Sequence, residues 1–527
     1  MWYNYIKYGS LFLQFLKGVF TMQMRKLTPE EEKLLQNFVT DVYGPVYFIH
    51  SLPEFIIPPI NSKVSRKDTS WRLNILESLT DGDLDITEYL PKHSIPMERA
   101  IEKAREFHEK WVEKFGHSSI AEQHLMHLCV EDVSRLLSGD IELMNRRPAF
   151  IEWSQRYQKP TREKVVIPPE LEKEPVLKEK FLKVWNATYD AYEKLVKVLT
   201  EYLRRAEEKK EGETEEKFLN RIEKIAFEDA RYALILATRT SFAVALNALD
   251  LQDIVRKLFA HPTEEAKVLA KRIVEQGEKI APSTLRHLTP TPYQMKVRER
   301  LKDISKKILG DKRAISSDDV VLLDYTGKGT DFSPVDTVVA HILFTYSGKE
   351  FVEVKEKVKA MKEEEKEKVI KTAVEEIGEF DHLIDAFKSV RFKFQLKISE
   401  ANWHQLLRHR TIIFDWTEPT VENGFVIPPN VVKAGAEDIL IGALKTSEEL
   451  FYELKEKMPE VSPYVVTNAH KRLVVMNADL WAFDHFANLR CTKEAQWDIR
   501  ETSFKMLGLI REVAPQLAFF MARRKRA

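Results

Sequence analysis

Cysteine is nearly absent: Cys129 and Cys491 are the only two in 527 residues. Two thiols exclude a disulfide framework and a cysteine-built zinc or iron–sulfur centre. An excess of charge is absent too, since 82 Lys+Arg balance 82 Asp+Glu. That balance argues against a surface made to coat nucleic acid or an anionic membrane, and leaves room for a local basic site. Long apolar runs are missing: Lys7 and Lys17 interrupt the first twenty residues, and no uncharged run reaches the ~18 residues a membrane helix needs. Those residues also lack a small-residue cleavage site, and Met22 and Met24 follow at once. They read as an upstream start or a loosely docked tail, with a membrane-surface anchor as the competing reading. A cytoplasmic protein without membrane or nucleic-acid partners is expected. The phosphate-binding patterns G-x-G-x-x-G and G-x-x-x-x-G-K-[ST] are absent, as are H-E-x-x-H and G-x-S-x-G. His124 and His127 come without a third ligand, so no metal is expected.

What is present begins with 44% hydrophobic and 10% aromatic residues, enough for a packed core. The length suggests about three units or fewer large ones. The chain contains a divergent internal repeat. The first copy reads VVIPPEL at 165–171, FEDARYALILATRTSFAVALNALDL at 227–251 and KIAP at 279–282. The second reads FVIPPNV at 425–431, YVVTNAHKRLVVMNADLW at 464–481 and EVAP at 512–515. Each has an extended I-P-P, a long amphipathic segment, an Asn-Ala pair and a closing helix ending in Ala-Pro. Asn247-Ala248 matches Asn477-Ala478 by this reading. The domains are expected at 25–295 and 320–527, after an extension at 1–24 and with a charged linker at 296–319.

Local signals fill in the copies. RFKFQLKI at 391–398 alternates apolar and polar residues, so it predicts a half-buried strand. Ser399 then offers an N-cap to EANWHQLLRHR. Ile412-Ile413-Phe414 returns to extended chain. VVLLDY at 320–325 reads as a buried strand, and EKVKAMKEEEKEKVIKTAVEEI as one charged, solvent-facing helix. EEKKEGETEE at 207–216 is a solvated loop or helix end. His117-Ser118-Ser119 offers an N-cap to IAEQHLMHL. Together these predict an α+β chain, with long helices and a few strands per copy.

Arg408-His409-Arg410 closes a predicted helix. Arginines there either hold a phosphate or an anionic ring with planar, paired donors, or simply complement the helix C-terminus.

The segment QLLRHRT resembles the R-H-R signature of the flavin-dependent thymidylate synthases of the ThyX type. So do His117-Ser118-Ser119…Glu122, Ser154-Gln155-Arg156-Tyr157, Glu228-Asp229-Ala230-Arg231 and Asn488-Leu489-Arg490…Ala495-Gln496-Trp497. The motifs recur in the family's order over roughly 90–290 and 320–520, and the chain looks most like double-length relatives. The resemblance implies two tandem ThyX-like domains, each a small, mostly antiparallel sheet with long helices. It implies reductive methylation of dUMP to dTMP, with FAD carrying the methylene group of methylenetetrahydrofolate and NADPH reducing the flavin.

The resemblance also distributes site residues unevenly. The first copy keeps Glu152, Ser154, Arg156, Tyr157 and Arg231 on the nucleotide side, and His117, Ser119 and Glu122 on the flavin side. It has Met144-Asn145-Arg146 in place of R-H-R. The second copy keeps Gln405, Arg408, His409, Arg410, His485 and Arg490. FDWTEPT replaces its Ser-x-Arg pair, and Tyr464 stands near the place of Arg231. By resemblance Arg408, Arg231 and Ser154 carry the chemistry; Gln405, Arg408, Glu152, Ser154, Arg156, Arg231 and Arg490 bind the nucleotide; His117, Ser119, Glu122, Arg408, His409, Arg410 and His485 bind the flavin. The losses are nearly complementary, which implies composite sites drawing on both copies and a homodimer imitating the family's tetramer. The alternatives are a silent flavin- or nucleotide-binding scaffold or regulator, and flavin-dependent methylation of another pyrimidine. As bland readings, Ser154 and Arg156 make a polar turn, Arg231 is an ordinary amphipathic-helix residue, and His485 is a core histidine.

Overall fold

A computed structural model describes residues 27–52, 70–80, 122, 124–281, 285, 288–310 and 318–524. The chain forms two compact units. One comprises Met1–Lys312 with Ile427–Thr467, the other Arg313–Val426 with Asn468–Ala527. The segment Ile427–Thr467 thus lies in sequence within the second copy and packs as part of the first unit.

The first unit is built on four antiparallel strands: β1 (Val46–Ile49), β2 (Leu125–Ser134), β3 (Ala149–Glu152) and β4 (Arg239–Asn247), in the order β1-β2-β4-β3. Because strand side chains alternate, β1 feeds two cores. Val46 and Phe48 join Leu128, Val244 and the helices Ala248–Phe259 and Glu264–Gly277 through Leu251, Ile254 and Leu269. Tyr47 and Ile49 face the other way, against Leu35, Phe38, Trp71 and Ile75. The 32-residue helix Pro175–Ala206, the helix Glu215–Ala230 and the helix Glu437–Lys457 complete this unit. Asn430 Nδ2 donates to Asp229 at 2.8 Å, tying the I-P-P segment of the second copy to the end of Glu215–Ala230.

The second unit repeats the scheme with β5 (Val320–Tyr325), β6 (Arg391–Ser399), β7 (Ile413–Trp416) and β8 (Lys471–Asp479), antiparallel in the order β5-β6-β8-β7. The alternation in β6 is as the sequence predicts: Phe392, Phe394 and Leu396 are buried. Ser134 and Ser399 end their strands alike and cap the next helices, Arg135–Met144 and Glu400–Leu406. The mixed α+β class and the paired small antiparallel sheets follow.

Register corrects the Asn-Ala match. Leu125 pairs with Asn247 and Arg391 pairs with Asp479, so Asp479, not Asn477, is the counterpart of Asn247. Both are N-caps: Asn247 accepts from the Asp250 amide at 2.9 Å and Asp479 from the Ala482 amide at 2.8 Å. Asn477 lies inside β8. The β2 strand carries a register shift between Val130 and Val133, with Asp132 at φ 61°. A non-glycine residue there is strained. Its amide donates to Ser241 Oγ at 3.2 Å, which helps hold it.

Other expectations change. β5, paired only with β6, is half-exposed, unlike the equally placed β1, which is buried on both faces. The charged run is two helices, Phe351–Lys359 and Glu363–Val374, each burying valine or isoleucine. The long "amphipathic" segments are composite. In the first copy the helix ends at Ala230, a tight turn follows at Arg231–Ala233, and β4 begins at Arg239. The apolar run Leu234–Ala237 is fully buried irregular chain, which periodicity does not distinguish from helix. IAEQHLMHL enters strand at Leu125, where a capped helix was expected. Among the described residues no helix is long and apolar enough to cross a membrane.

Candidate functional site

In the second unit the geometry starts from one cap. Ser399 Oγ accepts from the Asn402 amide at 3.0 Å and donates to Asp498 at 2.5 Å, seating a seven-residue helix against Trp497–Val513. Asn402 Nδ2 adds bonds of 2.8 Å to Asp498 and 2.9 Å to Thr502. The C-terminal end of that helix presents Gln405, Arg408, His409 and Arg410. Arg490, at the end of the helix Leu480–Arg490, donates through Nη2 to the Gln405 carbonyl at 3.2 Å and through Nε to His409 Nε2 at 2.9 Å. Gln405 Nε2 donates to Gln496 at 3.2 Å. Arg408 Nε meets the His404 carbonyl at 3.4 Å, so the helix-end reading is part of its role.

The rings beside this set form a row. His409 packs edge-on against Phe486 at 4.8 Å and lies 6.4 Å from His485. His485 is 5.4 Å from His382, which stacks on Trp481 at 5.1 Å. His485 is half-buried, at a surface rather than in the core. Burial lowers its pKa from the ordinary histidine value, and His382, Arg524 and Arg490 lower it further. Histidine and tryptophan rings beside arginines suit a planar cofactor that carries phosphates, although Lys388 lies 4.9 Å over the Trp481 ring. Sequence reading missed His382 and Trp481. Trp481 is half-buried, whereas its neighbours Leu480, Ala482 and Phe483 are buried.

In the first unit Ser154, Arg156 and Arg231 come together around Glu228. Arg156 Nε pairs with Glu228 Oε2 at 2.5 Å, and Arg231 Nε donates to the Glu228 carbonyl at 3.3 Å. Ser154 Oγ accepts from the Arg156 amide at 3.3 Å, so the pair does form a polar turn. Burial opposes the charge on Arg156, but Glu228 more than offsets it and its pKa lies above the ordinary arginine value. Arg231 is buried outright, and desolvation pulls its guanidinium below that value.

Glu152 goes elsewhere. It accepts from Ser138 at 2.6 Å and Thr240 at 3.2 Å and faces Arg135 at 3.6 Å. Glu122 is exposed and pairs with Arg147 at 3.4 Å. His117 and Ser119 lie outside the described residues. Asn145, in the stretch that replaces R-H-R, donates to Asp250 at 3.0 Å. Tyr464 OH donates to buried Glu265 at 2.7 Å, and register makes it the counterpart of Tyr232 rather than of Arg231.

Comparison with known proteins agrees with this duplicated arrangement. The family described as "Thymidylate synthase complementing protein" matches twice, over residues 80–283 and 322–516. A UPF0159 protein of Chlamydia pneumoniae is 22% identical over 505 residues, covering 93% of this chain and 92% of that protein. A flavin-dependent thymidylate synthase of Clostridium tetani is 28% identical over 199 residues, 36% of this chain and 76% of that protein. One from Nitratidesulfovibrio vulgaris is 31% identical over 144 residues, 24% of this chain and 59% of that protein. With two tandem matches that together span most of its length, the chain belongs to the thymidylate synthase complementing protein family.

Proposed function

We propose that the chain is a flavin-dependent thymidylate synthase in which the two repeats divide the work. The observation that carries this reading is the Gln405–His409–Arg490 set, three residues of the family pattern joined by hydrogen bonds across 85 positions. The reaction converts dUMP, methylenetetrahydrofolate, NADPH and a proton to dTMP, tetrahydrofolate and NADP+. When bound, FAD carries the methylene group and supplies the reducing hydride. His409, His485 and Arg410 would hold it, with Arg408 beside them. Arg156, Arg408 and Arg490 neutralise the nucleotide phosphate. Arg231, held through Nε by the Glu228 carbonyl, would meet the uracil carbonyl as the family resemblance implies, and its burial would strengthen its grip on negative charge that develops there. Ser154 and Gln405 orient the nucleotide. Neither repeat retains both sets, so each supplies what the other lost. The working protein is a homodimer.

A second reading has support of its own. Glu152 of the nucleotide set is consumed by Ser138, Thr240 and Arg135. A silent nucleotide- or flavin-binding relative would tolerate this.

The deciding experiment is to load the purified protein with FAD, reduce the flavin with NADPH or dithionite, and assay dTMP formation from dUMP and methylenetetrahydrofolate. Turnover coupled to flavin reoxidation is expected. Flavin binding without dTMP would replace the first reading by the second.

A further inference from the structure

The helix Glu215–Ala230 carries Lys217, Arg221, Lys224 and Glu228 at spacings of four, three and four residues, which puts them on one face. That face lines a cleft of about 460 Å³ in the first unit, with Arg156 and Tyr157 also in its wall. Four cations and one carboxylate therefore line it. The second repeat has no equivalent, because the single helix Glu437–Lys457 leads directly to the turn Ser462–Val465. Lys217, Arg221 and Lys224 are also outside the residues assigned by family resemblance.

The charges are unevenly matched. Glu228 serves Arg156. Arg221 is held by Glu213 and Glu207, both at 3.0 Å, and its hydrogen bond holds Glu213 down at a pKa of about 2. Among the described residues no carboxylate pairs with exposed Lys217 or Lys224; Lys224 lies 6.0 Å over the Tyr157 ring. Like charges stacked on one helix face repel, and an anion laid along them relieves the repulsion. Lys217 and Lys224 are separated by about 10 Å of helix rise. That is too far for one phosphate group to bridge and suits a chain of anionic groups.

We infer that this cleft binds a short polyanionic chain of a small-molecule substrate, running from Arg156 along the helix to Lys217. Successive phosphates of a nucleoside di- or triphosphate and successive carboxylates of an oligoglutamyl folate share that chemistry. The assignment to these two substrates rests on the proposed function; the anion site itself does not.

The test is calorimetry on the full chain with inorganic orthophosphate and tripolyphosphate. Tripolyphosphate should bind about tenfold or more tightly than orthophosphate, and Lys217→Gln with Lys224→Gln should remove about that factor. Lys217→Arg with Lys224→Arg should retain binding. Lys183→Gln, at an exposed lysine paired with Glu179, should leave it unchanged. Competition then separates the sources: dUTP against dUMP reports an oligophosphate, and pentaglutamyl against monoglutamyl tetrahydrofolate reports an oligoglutamate. Equal affinity for the two inorganic anions, indifference to the double glutamine substitution, or failure of both competitors overturns the inference. Tighter binding of a single-stranded oligonucleotide of matched charge also overturns it, in favour of nucleic acid. Tripolyphosphate binding without dTMP formation keeps this site and removes the synthase reading, whereas the reverse pattern removes only this site.

Discussion

Arg490 Nε donates to His409 Nε2 at 2.9 Å. The guanidinium has no acceptor, so the imidazole nitrogen must receive the bond and the proton of neutral His409 sits on Nδ1. The same arginine holds the Gln405 carbonyl, locking the end of Glu400–Leu406 to the end of Leu480–Arg490. Replacing Arg490 by Gln is expected to abolish dTMP formation and to weaken flavin retention, read as loss of yellow colour on gel filtration. Stability should fall by about 1.5–3 kcal/mol, the range for bonds to a charged donor. An Arg490→Gln protein that keeps its flavin and its turnover would remove this residue from the working set.

Arg231→Ala and Arg408→Ala, in different repeats, should each lower turnover by about 100-fold or more. Arg231 is buried, so the melting temperature of each variant must be recorded beside its rate. Mixing the two variants reports where the sets come from: recovered activity means different chains, and none means the same chain. Full activity in either single variant would contradict a division of labour.

The pair Glu400–Arg472 concerns stability. Arg472 donates from Nε and Nη2 to the two Glu400 oxygens, both at 2.9 Å, and both side chains are buried. Arg472→Met should cost about 3–5 kcal/mol by stranding a buried carboxylate, and adding Glu400→Leu should recover much of it. Denaturant unfolding of the single and double variants checks this. In the first repeat the charges are reversed: Arg135 holds the first helical position and Thr240 the strand position of Arg472, with Glu152 arriving from β3. Equal destabilisation in the single and double variants would show that packing rather than pairing dominates.

His485 gives a pH dependence. Its folded pKa lies below the ordinary histidine value, so below about pH 6.5 the unfolded chain takes up the proton more readily. Its contribution to stability is complete above that pH and is lost as pH falls toward the folded value. His485→Gln should therefore flatten the drop in melting temperature between neutral and mildly acidic buffer. An unchanged slope would exclude it as the titrating group.

The sequence alone determined whatever is written within a turn or a strand. The alternation of RFKFQLKI gave β6, Ser399 announced its helix, and the ordered motifs around Arg408, Arg231 and Arg490 carried the family. Lys217, Arg221 and Lys224 drew no attention as sequence; the helix Glu215–Ala230 and its cleft with Arg156 give their spacing a meaning. Tertiary structure decided the rest. Asp479 is the partner of Asn247 because strand register, not residue likeness, fixes equivalence. Glu152 is drawn to Arg135, and Tyr464 to Glu265, because buried charges and hydroxyls take the partners that neighbouring strands and helices bring within reach. Ile427–Thr467 packs in the first unit, where its helix Glu437–Lys457 buries Leu440, Leu444, Leu450 and Phe451. Local periodicity and capping act over a few residues, whereas the choice of a buried partner is made among groups far apart in the chain.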